Sequence, residues 1–502
     1  MFTYEQISEL FADGENIDLE CIEVQDYLPF AVFETYSAFT NTNGGMILLG
    51  IEQEQNMFSL KGLADSKKLI NDFWSALNKQ QIISTNILVY KDIKIVRVNE
   101  KELVTIKVPR AARGQKPVYI GNNPFAGTYR RGFEGNYNCT EDEVKRMLKE
   151  QQGTLDSCVF PYYGMECVNL QSIRNYRRQF ALLKPHHSWN TLDTKNFLKR
   201  IGAWGHEVDT EEEGLTLAGL VMFGDVKVIT EVLPNFSLLY RESNSAISDQ
   251  SLKDCITSVD DTWSGSVYDF FVKVLPLLTS DFYTPTPLQG LQQVDETYIH
   301  RAIREAFVRT LVHADYYGDG GILIEKKKSE FRFETPGTLH MSVKDVFCGE
   351  VCEPRNSNIC KMFRAIGLGD CDGEELNNIF HIWKQLQWKH PNLIEEFCPE
   401  RTILTLSIHP LLTIESVAFI EEVLEDDFAL LTMDEVVVLV TAFQEDYVMN
   451  ERLQLIMDRS FNEVSSLLRT LVEKGHLTIE GQGKGKIFTL SNKFALKGIL
   501  VY

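Results

Sequence analysis

A five-residue turn sequence, Asn41-Thr42-Asn43-Gly44-Gly45, separates two apolar segments near the start of the chain. The segment before the turn, Phe33–Phe39, has a helical pattern, and the run after it, Met46–Ile51, is continuously apolar. A short apolar run bounded by turn residues is typical of a buried strand. The sequence therefore predicts helix, tight turn and strand in this order.

The rest of residues 1–150 extends this pattern to an α+β domain. A helix is predicted at the N-terminus, and Thr140 with Glu143 forms a capping box that opens the helix Val144–Lys149. Alternating apolar and polar residues predict strands around Ile83–Tyr90, Ile93–Val98 and Leu103–Val108.

The length of 502 residues suggests about three domains. Residues 151–210 are mixed and helical in tendency, and we interpret them as a connector. Residues 211–410 predict an α/β domain. Its elements are the apolar segment Leu215–Phe223, the helix Tyr298–His313 and strands at Ile322–Glu325 and Glu330–Glu334.

A third domain is predicted at 428–502. Thr432 and Glu435 form a capping box, and three short helices follow, the second at Asn450–Met457. Two alternating runs, Leu477–Glu480 and Ile487–Leu490, are joined by a segment rich in Gly and Lys. Three helices followed by such a hairpin are typical of a winged helix-turn-helix.

Charge is unevenly distributed along the chain. The net charge is −21, so no general attraction to nucleic acid or to an anionic membrane exists. Between 107 and 131, however, no acidic residue occurs, and aromatic residues alternate with six basic residues. This mixture is found on surfaces that bind single-stranded nucleic acid. The bases are Lys107, Arg110, Arg113, Lys116, Arg130 and Arg131, and the aromatic residues are Tyr119, Phe125 and Tyr129. The alternative is a solvated loop with aromatic residues in the core.

Neither a signal peptide nor an 18-residue apolar run is evident in the sequence, so we expect a cytoplasmic protein that does not span a membrane.

Three blocks, in order, resemble the Schlafen/AlbA-type nucleic-acid-binding domain. They are Gly14-Glu15…Leu19-Glu20, Ala38–Gly45 with Leu49-Gly50-Ile51-Glu52, and Lys116–Tyr119 with Tyr129–Gly132. In some Schlafen relatives a carboxylate group cuts RNA, and by resemblance Glu15, Glu20 and Glu52 match it. Carboxylates of this kind hold Mg²⁺ or Mn²⁺. The chain departs from the pattern at Ile22, where a lysine is usual.

The middle segment resembles the GHKL-type ATP-binding domain that follows the AlbA-type domain in bacterial proteins labelled transcriptional regulators. The matching residues are Leu215–Gly224, Ala302–Ala306, His313–Tyr316 and Arg355-Asn356. The resemblance implies a nucleotide site with Glu305, Arg309, His313 and Asp315. Arg309 stands where the family has a Mg²⁺-binding Asn, and a cation cannot ligate Mg²⁺. Glu374 and Glu375 stand in the glycine-rich lid, where they would repel phosphates. Binding and hydrolysis of ATP are therefore doubtful.

In the C-terminal domain, Lys484 and Lys486 on the wing, with Arg459 and Arg469, are candidate phosphate contacts. The alternative for this domain is a protein-interaction or dimerisation module.

Together these patterns predict a nucleic-acid-binding transcriptional regulator that forms a symmetric homo-oligomer such as a dimer. Its middle domain would be vestigial or would sense a ligand. The first alternative is a metal-dependent ribonuclease of Schlafen type with a role in defence, in which Glu15, Glu20 and Glu52 are catalytic. The second is a purely structural interaction protein.

Overall fold

A computed structural model describes most of the chain. The described residues are 19–24, 27–54, 57–98, 100–132, 135–152, 155–207, 212–243, 252–280, 298–341, 343–348, 353–369, 373–397, 399–457, 459–480 and 486–494. Two compact units can be distinguished. One comprises Met1–Gln152 and Leu412–Tyr502, and the other comprises Gly153–Leu411. The predicted N-terminal helix and Glu15 lie outside the described residues.

The N-terminal segment contains a four-stranded sheet with two helices on one face. The sheet contains β1 Leu19–Ile22, β2 Gly45–Leu49, β5 Ile93–Val98 and β6 Lys101–Val108, and a separate hairpin contains β3 Ile51–Glu54 and β4 Met57–Leu60. The helices are α1 Phe30–Asn41 and α2 Ser66–Leu77. The sheet order is β1-β2-β6-β5, with β1 parallel to β2 and the other pairs antiparallel. Tyr36 and Phe39 of α1 and Phe73 of α2 are buried against Ile47 and Ile106.

The predicted helix, turn and strand are confirmed, although the strand is interrupted. Gly50, with φ of 96°, ends β2, and the chain then enters the hairpin β3–β4. Ile51 joins Leu48 and Leu103 in a second, smaller cluster on the opposite face of the sheet from α1. Side chains alternate across a strand, so β6 contributes Val104 to one face and Leu103 to the other.

The strand predicted around Ile83–Tyr90 is wrong. This stretch forms one isolated bridge, between Ile83 and Ile120. Side chains take the place of a neighbouring strand as hydrogen-bond partners: the Tyr36 hydroxyl accepts from the Ile87 N–H (3.0 Å) and the Asn86 side chain accepts from the Leu88 N–H (3.0 Å). An apolar pattern predicts that side chains are buried. A strand forms only where the backbone N–H and C=O groups hydrogen-bond to a neighbouring strand.

The N-terminal segment ends with a hairpin and a helix. The elements are α3 Pro124–Gly127, β7 Tyr129–Gly132, β8 Gly135–Asn138 and α4 Glu141–Gln152. The predicted capping box is confirmed, because the Glu143 carboxylate accepts from the Thr140 N–H (2.7 Å) and the Thr140 hydroxyl accepts from the Glu143 N–H (3.3 Å).

The unit Gly153–Leu411 has a mixed six-stranded sheet and a three-stranded sheet. Its helices are α5 Leu170–Leu183, α6 Thr194–Ile201, α7 Leu217–Phe223, α8 Val226–Val232, α9 Val267–Thr279, α10 Tyr298–His313, α11 Val343–Cys348, α12 Ser357–Ala365 and α13 Glu375–Gln385. Its strands are β9 Val159–Phe160, β10 Trp204–His206, β11 Glu213–Thr216, β12 Leu238–Ser243, β13 Leu252–Thr257, β14 Ile322–Lys327, β15 Glu330–Pro336, β16 Asn392–Phe397 and β17 Glu400–Ser407. The larger sheet has the order β13-β12-β14-β15-β17-β16, and α10 packs between β15, α9 and α13.

The C-terminal segment has its own apolar core. Its elements are α14 Ile414–Leu424, α15 Met433–Glu445, α16 Asn450–Met457, α17 Phe461–Glu473, β18 Leu477–Glu480 and β19 Ile487–Leu490. The predicted helices, the capping box of Thr432 with Glu435 and the antiparallel pairing of β18 with β19 are all confirmed. Within the described ranges, no helix is both long and apolar enough to cross a membrane.

Candidate nucleic-acid interface

Asn41, the last residue of α1, fixes the segment that carries the predicted basic residues. Its side chain is 1% exposed. The Asn41 Oδ1 atom accepts from the Val118 N–H (2.9 Å), and Nδ2 donates to the carbonyls of Val118 (2.7 Å) and Tyr129 (3.0 Å). One amide side chain thus satisfies three main-chain groups from two separate stretches. Asn41 holds the 116–131 segment against the end of α1.

The next residues of the turn bring strand β6 close to α1. The Thr42 hydroxyl accepts from the Arg131 N–H (2.9 Å). Gly44 has φ of 74°, and a Cβ atom there would lie 2.6 Å from the Val108 carbonyl oxygen and 2.9 Å from the Arg110 nitrogen. Only glycine combines this backbone angle with so close an approach. The turn motif therefore positions the start of the basic segment.

Four of the six predicted basic residues are exposed or half-buried, and two of them contact residues at the end of α1. Lys107 is exposed on β6, while Arg110, Arg113 and Lys116 are half-buried. Arg110 donates to the Asn43 side chain (2.8 Å), and the Lys116 ammonium donates to the Asn41 carbonyl (2.9 Å). The carbonyl end of a helix carries partial negative charge, so it stabilises cations placed there. We call Lys107, Arg110, Arg113 and Lys116 the basic rim.

The other two predicted bases, Arg130 and Arg131, are buried in β7, at 7% and 6% exposure. Arg130 pairs with Glu143 (3.2 Å). Arg131 pairs with Glu20 (2.7 Å), donates to the Leu19 carbonyl (3.3 Å) and lies over the Phe39 ring at 5.3 Å. Both guanidinium groups would have to leave a carboxylate to reach a phosphate. Arg131 attaches the β7–β8 hairpin to β1 of the sheet, and Arg130 attaches it to α4.

The three aromatic residues of the basic segment differ in exposure. Phe125 is 43% exposed at the short helix α3, whereas Tyr119 and Tyr129 are half-buried. Burial raises the pKa of the Tyr129 hydroxyl, and the neighbouring Glu34 raises it further. Phe125 is therefore the aromatic side chain of this segment that is most open to a ligand.

The predicted carboxylate group is only partly within the described residues. Glu20 is engaged with Arg131, as above. Glu52 pairs with Lys61 (2.7 Å) and accepts from the Ser59 hydroxyl (3.1 Å), and the contact with Lys61 holds the pKa of the Glu52 carboxyl below its usual range. In the described ranges, no three His, Cys, Asp or Glu side chains are grouped so that they could hold a metal ion. Mg²⁺ or Mn²⁺ binding with Glu15 stays a prediction.

Three of the four residues predicted for a nucleotide site, Glu305, Arg309 and His313, line a cleft of the unit Gly153–Leu411. Arg309 and His313 of α10 line it together with Phe333, Leu404 and Glu375. Glu305 is buried, pairs with Arg301 (2.7 Å) and has a pKa raised by burial.

His313 and Asp315, two of the predicted nucleotide-site residues, have different surroundings. Burial lowers the pKa of His313 well below its usual range, and Arg309 lowers it further. Asp315, which is 1% exposed, faces Arg355 (3.6 Å) and accepts from the Tyr317 N–H (3.1 Å). Its contacts are with the protein itself. ATP binding at this cleft stays a prediction.

The candidate contacts of the C-terminal segment are partly described. Arg459 pairs with Asp434 (3.0 Å), Arg469 is exposed on α17, and Lys486 is half-buried at the start of β19. Lys484 lies outside the described residues. Phosphate contacts here stay a prediction.

A broader basic region escaped the sequence analysis. Residues 61–131 contain fourteen Lys and Arg against five Asp and Glu, in a chain whose net charge is −21. Lys94 on β5 lies opposite Thr105, and Thr105 and Lys107 point to the same face of β6. Lys94 and Lys107 therefore share one face of the sheet, and both are exposed. A count of charge in a window longer than 107–131 would have found this region.

Comparison with known proteins identifies the N-terminal domain. Residues 15–135 match the family model "Schlafen, AlbA_2", and residues 145–239 match a domain of unknown function, DUF8451. The chain thus contains a Schlafen/AlbA_2 domain, as its motifs predict. No curated protein matches the chain.

Two solved structures are similar to the chain. The DIP2311 protein of Corynebacterium diphtheriae is 16% identical, with 98% of this chain and 84% of that chain covered and a TM-score of 0.39. The N-terminal domain of a RecG-related protein from Nitrosomonas europaea is 25% identical, with 28% of this chain and 95% of that chain covered and a TM-score of 0.23.

Proposed function

We propose that this protein binds nucleic acid through its Schlafen/AlbA_2 domain and acts as a regulator of transcription. The observation that carries the proposal is the basic rim, in which Arg110 and Lys116 donate to the turn residues Asn43 and Asn41 that mark the domain. Lys107 is exposed, the Arg110 guanidinium donates to the Asn43 side chain, and the Lys116 ammonium donates to the Asn41 carbonyl. Cations on a surface of this kind can contact the phosphate oxygens of a bound strand.

The remaining segments have supporting roles in this proposal. The three helices and the β18–β19 hairpin would provide a winged helix-turn-helix, with Lys484 and Lys486 near the backbone of a bound duplex. The cleft at Arg309 and His313 would sense a ligand in a GHKL-like domain, and the protein would act as a homodimer. Light scattering of the purified chain tests the dimer directly.

The salt dependence of binding tests the main proposal. Four phosphate contacts by the basic rim predict that log K falls with log salt with a slope of about −3 to −4. Fluorescence anisotropy with labelled single-stranded and duplex oligonucleotides measures this slope for the full chain. Lys107→Gln with Arg110→Gln should reduce the slope by about 2.

A matched control is Lys328→Gln, which removes an exposed lysine from the turn between β14 and β15. It should leave both affinity and slope unchanged. Binding that ignores salt, or that ignores the double substitution at 107 and 110, would contradict the proposed role of the basic rim.

A further inference from the structure

Tyr90 is a large aromatic side chain that the fold leaves uncovered. Its side chain is 85% exposed at the first position of the single 3₁₀ turn Tyr90–Asp92, which leads into β5. The turn is fixed at its base, because the Asp92 carboxylate accepts from the Val89 N–H (2.8 Å). Tyr90 is thus presented on an ordered turn.

Three exposed lysines lie on the turn that carries Tyr90 and on the two strands beside it. Lys91 is its neighbour in the turn, and the turn packs against β6. Because β5 and β6 are antiparallel, with Ile93 opposite Ile106, the start of β5 lies beside the end of β6. Lys94 and Lys107 are diagonal neighbours on one face of this pair, at a typical separation of about 7–8 Å. Lys107 also begins the basic rim, so the lysines around Tyr90 are continuous with it.

We propose that Tyr90 is a stacking residue for a base and that the nucleic acid bound by this domain is single-stranded. This inference rests on the proposed function and adds its substrate class. A base inside a duplex has neighbours on both faces, whereas a base of a single strand has a face available for an aromatic ring. An exposed ring bordered by lysines is the arrangement by which proteins bind single strands, with stacking on the ring and phosphates on the cations.

The acidic groups near Tyr90 are compatible with this binding mode. Asp92, in the same turn, is engaged with the Val89 N–H. Glu102 is paired with Arg97 (2.7 Å) toward the opposite end of the β5–β6 hairpin. The end of the hairpin that carries Tyr90, Lys91, Lys94 and Lys107 is therefore positively charged, which favours a polyanion over an acidic or neutral peptide surface.

The test uses the full chain and labelled strands of about 12 nucleotides, a length that single-strand binding domains commonly contact. Four ligands of matched sequence are compared by anisotropy: single-stranded DNA, single-stranded RNA, duplex DNA, and the DNA strand with abasic sites in place of its bases. The variants are Tyr90→Ala and Tyr90→Phe. Tyr162→Ala is the matched control, since Tyr162 is 90% exposed in the other unit.

Stacking on Tyr90 predicts that Tyr90→Ala weakens single-strand binding by about 5- to 150-fold, with little change in the salt slope. Tyr90→Phe and Tyr162→Ala should stay within about 2-fold of the unaltered chain. The abasic strand should bind the unaltered chain and Tyr90→Ala equally weakly. The DNA and RNA arms show which sugar is preferred.

Three results overturn the proposal. If Tyr90→Ala binds as tightly as the unaltered chain while Lys107→Gln weakens binding, the rim binds by charge alone and the proposed function stands without stacking. If Tyr90→Ala weakens duplex binding as much as single-strand binding, the proposed single-strand specificity of this surface is wrong. If the unaltered chain retains none of the four ligands at low salt, the proposed function itself fails.

Discussion

Replacement of Glu20 by Gln should destabilise the N-terminal domain, because Glu20 is the partner of a buried arginine. The Arg131 side chain is 5% exposed and the Glu20 side chain 21% exposed, with 2.7 Å between the charged atoms. At an effective dielectric constant of about 20, such a pair attracts by roughly 6 kcal/mol before desolvation is counted. Loss of one partner from a buried pair costs about 3–5 kcal/mol. The partial exposure of Glu20 places the expected cost at about 2–3 kcal/mol.

Hydrogen exchange measured by mass spectrometry suits this prediction, because unfolding of a multidomain chain is not a two-state transition. Glu20→Gln should speed exchange in β1 and β7. Arg131→Met should have a similar effect, and the double variant should be less destabilised than the sum of the two by about 2 kcal/mol. Glu102→Gln is the matched control, since Glu102 has the same 2.7 Å distance to Arg97 but this pair is at the surface.

The same experiment bears on the ribonuclease alternative. If Glu20→Gln abolishes metal-dependent cleavage of labelled RNA while exchange in β1 and β7 is unchanged, Glu20 is a metal ligand and the structural assignment is refuted. If cleavage and protection are lost together, the loss of activity follows from the broken ion pair. A test of catalysis at this position must therefore report stability as well as activity.

Three further predictions address the turn motif and the cleft. Gly44→Ala should destabilise the domain by about 1–3 kcal/mol, because its Cβ would meet the Val108 carbonyl at a positive φ; unchanged exchange over 104–111 would contradict this. Asn41→Leu leaves the main-chain groups at Val118 and Tyr129 without their side-chain partner and should cost about 3 kcal/mol, seen as faster exchange over 116–131. The folded pKa of His313 is depressed, so below about pH 6.5 the unfolded chain takes up the proton first and the unit Gly153–Leu411 loses stability. His313→Gln should flatten that loss in melting temperatures between about pH 5 and 7, and identical pH profiles would argue against it.

Local patterns in the sequence predicted secondary structure correctly where the backbone also has the hydrogen-bond partner that the predicted element requires. The helix Tyr298–His313 and the strand Ile93–Val98 have the predicted bounds, and the strand is paired with β6 along its whole length. The stretch 83–90 shows why the method fails elsewhere. Its apolar residues are partly buried, but the hydroxyl of Tyr36, distant in sequence, satisfies its backbone. No local pattern can reveal such a partner.

The sequence identified the basic residues of the candidate site, but it did not show which of them are exposed and which are buried. All six basic residues of 107–131 were identified by charge alone, yet Arg130 and Arg131 are buried while Lys107 is exposed. The difference comes from Glu20 and Glu143, which approach β7 only in the folded domain. Tyr90 escaped notice because its segment was interpreted as a strand, where an exposed tyrosine would have been one of many alternating residues.

The residues by which this domain resembles its family serve mainly to build it. Asn41, Thr42 and Gly44 hold the 107–131 segment to α1, and Arg131 with Glu20 joins β7 to the sheet. A scaffold built in this way can present different surface residues without loss of the motif, because none of these side chains needs to contact a ligand. The match to the family therefore predicts the architecture, whereas the ligand must be inferred from residues outside the motif, such as Lys94, Lys107 and Tyr90. Substitutions at those exposed positions should change binding while leaving the fold intact, and substitutions in the motif should change both.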